Sequence, residues 1–195
     1  MITKLDICNM ALAQLGQEPI ASLEQDNERA RRCRLFYEPV KEEVLRTHNW
    51  AFARGTIQLA LVRQENSQTW PYWYAYPQDC LFIRRVFSAN TPHQAQPFEE
   101  RYSQDMSGRV IGCAVPQASA EYTRKVGDES IFDPAFVKAF SLALAADLAF
   151  SLTADAGLGQ RILQKYTLAL DEARRSNMTE NFERPMSESA FVECR

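Results

Sequence analysis

Leu5-Asp6-Ile7-Cys8-Asn9-Met10-Ala11-Leu12-Ala13-Gln14-Leu15-Gly16-Gln17-Glu18-Pro19-Ile20-Ala21-Ser22-Leu23-Glu24 opens the chain and decides how its fold begins. Leu5, Cys8, Leu12 and Leu15 recur at helical spacing, and Gly16 supplies a C-terminal stop. Thr3, with Asp6 three residues on, makes a capping box that uses the shorter acid. Pro19 punctuates the loop 17–25, in which Ile20 and Leu23 are positioned to anchor on the core. Asp26 reads as the N-cap of a second helix over Asn27–Thr47. Its apolar stripe is Ala30, Cys33, Phe36/Tyr37, Val40 and Val44, with Arg29, Arg31, Arg32 and Arg34 around it. Pro39 lies inside that pattern. A proline there loses one hydrogen bond and clashes one turn back, which predicts a kink or break near Phe36–Tyr37. The helix leaves through His48-Asn49-Trp50-Ala51-Phe52-Ala53.

From Trp50 onward the hydrophobic period changes. Thr56–Leu61 alternates as a strand does, and Tyr72–Tyr76 is an aromatic strand bounded by Pro71 and Pro77. Further short strands are predicted at Leu81–Phe87, Phe98–Tyr102, Arg109–Val115 and Ser119–Val126, with Asp105 and Gly108 marking a hairpin turn. Helical signal returns at Asp133-Pro134, an N-cap followed by proline at the first helical position. That helix runs to about Leu152 and is apolar on most sides through Phe136, Phe140, Leu144 and Leu148, as a central core helix should be. Lys138 and Asp147 interrupt its apolar run, which argues for burial in protein over a membrane span. A turn over 155–159 leads to a last helix from Gln160 to about Ser176. The expected fold class is α+β, mainly α: a helical bundle from both chain ends (1–50 and 130–176) with an inserted small antiparallel β subdomain (51–129) and an extended C-terminal tail (177–195).

The 195 residues are 46% hydrophobic and 24% charged, enough apolar material for a sizeable core. A net charge of -3 argues against a binder driven by phosphate neutralisation. Five cysteines, Cys8, Cys33, Cys80, Cys113 and Cys194, are odd in number and widely spread, which reads as reduced core thiols and not as a disulfide or zinc framework. That fits folding in the cytosol. No secretory signal opens the chain, because Met1-Ile2-Thr3-Lys4 leads straight into an amphipathic helix.

The order of these segments resembles the opening of a phage head-to-tail connector family, the tail tubular protein A adaptors of short-tailed phages. The residues that carry the resemblance are Leu15-Gly16-Gln17-Glu18-Pro19-Ile20-Ala21-Ser22-Leu23, then Ala30, Cys33 and Tyr37, then the exit Trp50-Ala51-Phe52-Ala53. The turn Tyr76-Pro77-Gln78-Asp79-Cys80-Leu81 and the final two-helix unit match in order as well. The resemblance implies a structural virion protein that forms a ring under the portal, extends the DNA channel and links head to tail. It implies twelve-subunit rings, with the portal ring, further copies of the chain and a downstream tail protein as partners. DNA would pass through without specific binding, and no membrane, cofactor or metal is involved. The location implied is the virion, after folding in the host cytoplasm.

Catalytic alternatives are few. His48 lies near a helix C-terminus, where it can cap carbonyls, and His93 falls in a surface loop. Two histidines without a spaced carboxylate partner make no metal site, and no Gly-x-Ser-x-Gly elbow is present. Glu42/Glu43, Glu99/Glu100 and Asp128/Glu129 supply paired acids, the one route to an alternative function as a tail-associated, carboxylate-dependent peptidoglycan or polysaccharide hydrolase. Adjacent acids on a helix point apart, so solvated surface charge explains them more simply and no catalytic residue is assigned.

Partner-binding candidates are Arg31, Arg32, Trp73, Phe182 and Phe191. The arginine run can pair with acids along its own helix, with another subunit or with DNA phosphates. Trp73 belongs to a strand that is packed on both faces, sits at a subunit interface or stacks on bases or sugars. Phe182 and Phe191 stand in a polar tail. The resemblance assigns that tail to portal docking, and the alternative is a loose terminus.

Overall fold

The computed structural model describes residues 1–106 and 108–180. They fall into two compact units, one built from Met1–Arg54 with Thr123–Met178 and the other from Gly55–Tyr122.

In the first unit, α1 (Lys4–Gln14) starts at Thr3, whose hydroxyl accepts from the Asp6 amide while the Asp6 carboxylate accepts from the Thr3 amide at 2.9 Å. At the other end Gly16 takes φ +66°, the Gln17 amide donates to the Leu12 carbonyl, and the Gly16 amide donates to Ala13. This is a Schellman stop, and the left-handed residue it needs is the glycine. Asn9 then pins the following loop with both ends of its carboxamide. Its Oδ1 accepts from the Ile20 amide at 2.9 Å and its Nδ2 donates to the Ile20 carbonyl at 3.0 Å, which seats the buried Ile20 side chain.

The second helix, α2 (Glu28–Arg46), is capped by Asn27 and not by Asp26; the Asn27 Oδ1 accepts from the Ala30 amide at 2.8 Å. The predicted break near Phe36–Tyr37 is absent, and the helix runs through Pro39 without interruption. Its inner face is the expected stripe, with Ala30, Cys33 and Tyr37 fully buried and Val40 and Val44 nearly so. A short 3-10 turn, η1 (Ala51–Ala53), follows it, and a second, η2 (Glu129–Ile131), precedes α3 (Pro134–Thr153). Asp133 caps α3 by accepting from Ala135 and Phe136, as the sequence predicts. By length and composition α3 could cross a membrane, yet most of it is buried against protein, with α1 and α2 packed on it. Its first two turns carry Phe136 and Phe140 into a group of rings with Tyr37, Trp50, Phe52 and Phe132, at centroid distances of 4.9 to 6.5 Å. Ala154, in the left-handed region at φ +52°, ends α3 and turns the chain into α4 (Ala156–Glu180), which starts earlier and ends later than its periodicity predicts.

The second unit holds most of the strand content: β1 (Arg54–Gln58), β2 (Leu61–Gln64), β3 (Tyr72–Ala75), β4 (Cys80–Ser88), β5 (Thr91–Gln96), β6 (Phe98–Ser103), β7 (Gly108–Cys113) and β8 (Ala118–Arg124). They form two four-stranded sheets, ordered β1-β8-β4-β5 and β2-β3-β7-β6. One core joins them: Tyr74, Ile111 and Cys113 from the second sheet meet Cys80, Ile83, Val86, Ala118, Ala120 and Tyr122 from the first. The opposite face of the second sheet is covered too, by Trp73, Met106 and Val110. Gly112 lies opposite Trp73 in the β3–β7 register, and a Cβ there would sit 2.7 Å from the indole. The ring fits because that residue has no side chain.

The expected fold class is therefore corrected. The chain is α+β, with a β-rich middle of two four-stranded antiparallel sheets and a core of its own, and is not a mainly α bundle with one small inserted sheet. The single strand predicted over Thr56–Leu61 is divided at Leu59–Ala60 between the two sheets. The surface loop expected around His93 is instead an edge strand, Thr91–Gln96. Its Pro92 and polar, exposed residues hide it from any periodicity test, and edge strands are where proline is tolerated.

Candidate functional site

Two kinds of polar arrangement stand out in the helical unit, and the first is internal. Tyr37 and Lys41 of α2 reach Glu129 of η2: the Tyr37 hydroxyl donates to Glu129 Oε1 at 3.2 Å and Lys41 Nζ lies 3.5 Å from the same atom. Lys41 also pairs with Glu38 at 2.8 Å, and Lys4 pairs with Glu38 at 2.9 Å while sitting 4.4 Å from the Tyr37 ring centroid. Burial alone would raise Glu38, but the hydrogen bonds from Lys41 and Lys4 outweigh it and hold the carboxyl below its ordinary value. Burial, then the Glu129 charge, pushes the Tyr37 phenol up, so it stays a neutral donor. Beneath lie Cys8 and Cys33, both fully buried; the Cys8 thiol is pushed up by its hydrogen bond with Cys33 and by burial. This network clamps α1, α2 and η2 together.

Four of the six candidate acids, Glu129 above and Glu42, Asp128 and Glu100, are held by partners. Glu42 pairs with Lys125 at 3.2 Å, and Asp128 caps η2 through the Ser130 amide. On the sheets, Glu100 pairs with Arg109 at 2.6 Å. His48 joins the end of α2 to α4: its Nε2 lies 2.9 Å from Asn177 Nδ2, whose side-chain oxygen accepts from the Ala51 amide. Asp147 interrupts the apolar run of α3. Desolvation, followed by the Glu43 charge, raises its carboxyl above the ordinary 3.8, and Tyr166 of α4 is raised by burial and the same Glu43.

The second arrangement is external. Leu35, Phe150 and Leu168 are 60%, 74% and 73% exposed, and Leu163 is exposed with them. On α2, Leu35 is flanked one turn away by Arg31 and Arg32, two of the residues singled out for partner binding. Arg31 lies 3.7 Å from Asp26, and Arg32 pairs with Glu28 at 2.9 Å. On α4, Leu168 is one turn from Lys165 and Glu172, with Arg161 and Arg175 a further turn away at either end. An apolar residue set among charges of both signs is the local composition of an interface anchor with a polar rim. Sequence reasoning singled out the arginines and missed the leucines. Their signal was phase: Leu35 lies outside the stripe Ala30, Cys33, Tyr37, Val40, Val44, and a leucine out of phase with a helix's buried face must meet solvent or a partner.

Trp73 is 2% exposed, with Arg101 stacked 4.0 Å from its centroid and its indole N–H donating to Glu65 at 3.1 Å. Its contacts in this unit are internal. Phe182 and Phe191 lie outside the described residues. Among the described residues, no group of three or more His, Cys, Asp or Glu is placed to hold a metal ion. No protein-family model matches the chain, and no curated protein matches it.

Proposed function

We propose that this chain is a head-to-tail adaptor of a short-tailed phage, a virion protein that assembles into a ring beneath the portal and continues the DNA channel into the tail. The observation that carries the reading is the placement of Leu35 and Leu168, exposed apolar anchors inside mixed-charge frames on two helices of one unit. A head-to-tail ring needs two different surface patches on each subunit, and α2 and α4 supply one each. The resemblance adds support from inside the fold. Gly16, Ile20, Ala30, Cys33, Tyr37 and Trp50, which carry it, are the residues that stop α1, seat the loop and fill the core. Copies of the chain, the portal ring and a downstream tail protein are its partners, and DNA slides past without specific binding.

Mixing the protein with the portal protein encoded nearest to it, and weighing the product by native mass spectrometry, tests the reading. A complex holding about twelve copies per portal ring, the closed assembly implied by the resemblance, is the expected result. An intact portal ring that captures none contradicts it.

A second reading, a tail-associated glycan hydrolase, is favoured by one observation. Desolvation, followed by the Glu43 charge, raises the Asp147 carboxyl, the direction in which the general acid of glycoside cleavage is shifted. Turnover of peptidoglycan that disappears in Asp147→Asn supports it; no turnover by the parent protein rejects it.

A further inference from the structure

We propose that the β unit binds a neutral saccharide in the cavity walled by the end of β1, by β2, by β3 and by the turn between β7 and β8. The cavity has a volume of about 430 Å³ and is lined by Gln58, Leu59, Leu61, Gln64, Tyr72, Tyr74, Pro116 and Gln117. That volume lies in the range of small-ligand sites, roughly 300–1,000 Å³.

The lining selects the ligand class. None of the eight residues carries a charge, so a phosphate, carboxylate or ammonium finds no counter-ion and would pay its desolvation uncompensated. Three of the eight are glutamines, each offering one acceptor and two donors, the match for hydroxyl groups that both donate and accept. Tyr72 is half-buried and presents an aromatic surface, while Leu59, Leu61 and Pro116 add aliphatic carbon. A pyranose has this same split character, a rim of hydroxyls around apolar C–H faces. An extended peptide fits less well. Although β2 is the end strand of its sheet, it has four residues and its register with β3 shifts between Leu61 and Arg63, which breaks the regular ladder an added strand requires.

The site is also held in shape before any ligand arrives. The buried Tyr74 forms its floor, and its hydroxyl fastens the β7–β8 turn from both sides, donating to the Val115 carbonyl at 2.9 Å and accepting from the Ala118 amide at 3.4 Å. The turn thus fastened carries Gln117 at φ +53°. Glycine or asparagine is the usual occupant of that left-handed conformation, and glutamine there is strained. Backbone strain retained at the rim of a cavity is the pattern of a side chain held for what it contacts.

The test is a titration of the full chain, followed by saturation-transfer NMR, with maltotriose, cellotriose and chitotriose as neutral probes and trigalacturonate as the acidic one. At least one neutral trisaccharide binds at millimolar concentration or below, and trigalacturonate does not. Tyr72→Ala and Gln117→Gly each weaken the binding by about tenfold or more, the loss of one good contact. Gln117→Gly at the same time melts at a higher temperature than the parent, because it releases the strained φ while removing the carboxamide. Should Tyr72→Ala unfold, Gln58→Ala, at an exposed position, carries the comparison in its place. The proposal is overturned if no neutral probe binds, if the acidic probe binds better, or if folded variants bind as the parent does. Portal capture does not enter this test, so its outcome is separate from that of the adaptor reading.

Discussion

The helical unit and the β unit both bury large aromatic rings and both leave apolar residues in water, but they place their polar groups differently. In the helices, polar chemistry is turned inward: Tyr37, Lys41 and Glu129 are tied to one another, while Leu35, Phe150 and Leu168 face outward. The β unit buries Trp73 and Tyr74, leaves Tyr102 exposed, and sets three carboxamides around a cavity. On the two proposals made above, the helices meet a protein surface and the sheets a small polar ligand.

The comparison can be broken most forcefully at the helical core. Phe136 touches Trp50, Phe52, Phe132 and Phe140 at once, so Phe136→Ala should cost about 3–5 kcal/mol in chemical denaturation. The β unit has a different weak point, because its tightest contact is an absence. Gly112→Ala pushes a methyl group into the Trp73 ring and should cost about 1–3 kcal/mol, with the near-ultraviolet tryptophan signal changed. If Gly112→Ala proved neutral, the two-faced packing of β3 would be wrong.

The smallest expected effect concerns Asp147. Its folded value lies above the unfolded one, so ionisation is disfavoured in the fold. Below the unfolded value of about 3.8 the group costs nothing; as pH rises through the folded value it becomes a loss. Asp147→Asn should therefore be the more stable protein at about pH 7, by no more than about 0.5 kcal/mol given its exposure to solvent, and lose that advantage near pH 3. Urea midpoints at the two pH values decide it.

What could be read in the sequence follows the same division. The helices were legible because their signals are local: Thr3 with Asp6, Gly16, the stripe from Ala30 to Val44, and Asp133-Pro134. Asn27 displaced Asp26 as a cap by a one-residue choice between two good caps. Pro39 failed to break α2 because Tyr37 and Val40, on either side of it, are held in the core, and packing outweighs one lost hydrogen bond. The sheets were read in part. β5 has no apolar alternation, and nothing local in Thr56–Leu61 shows that the chain changes sheets at Leu59–Ala60. Of the proposed interface, Arg31 and Arg32 are suggested by charge, whereas Leu35 and Leu168 are visible only once the buried phase of each helix is fixed. The cavity residues were invisible, since Gln58, Gln64 and Gln117 come together from β1, β2 and the β7–β8 turn.

The most direct test of the account is portal capture by a Leu35→Glu/Leu168→Glu double variant, with its thermal unfolding measured alongside. Both positions are exposed, so the isolated variant should unfold within about 0.5 kcal/mol of the parent, as surface substitutions do. The account predicts that the variant stays folded, no longer closes a ring and leaves the portal bare. A double variant that assembles on the portal as fully as the parent would contradict it.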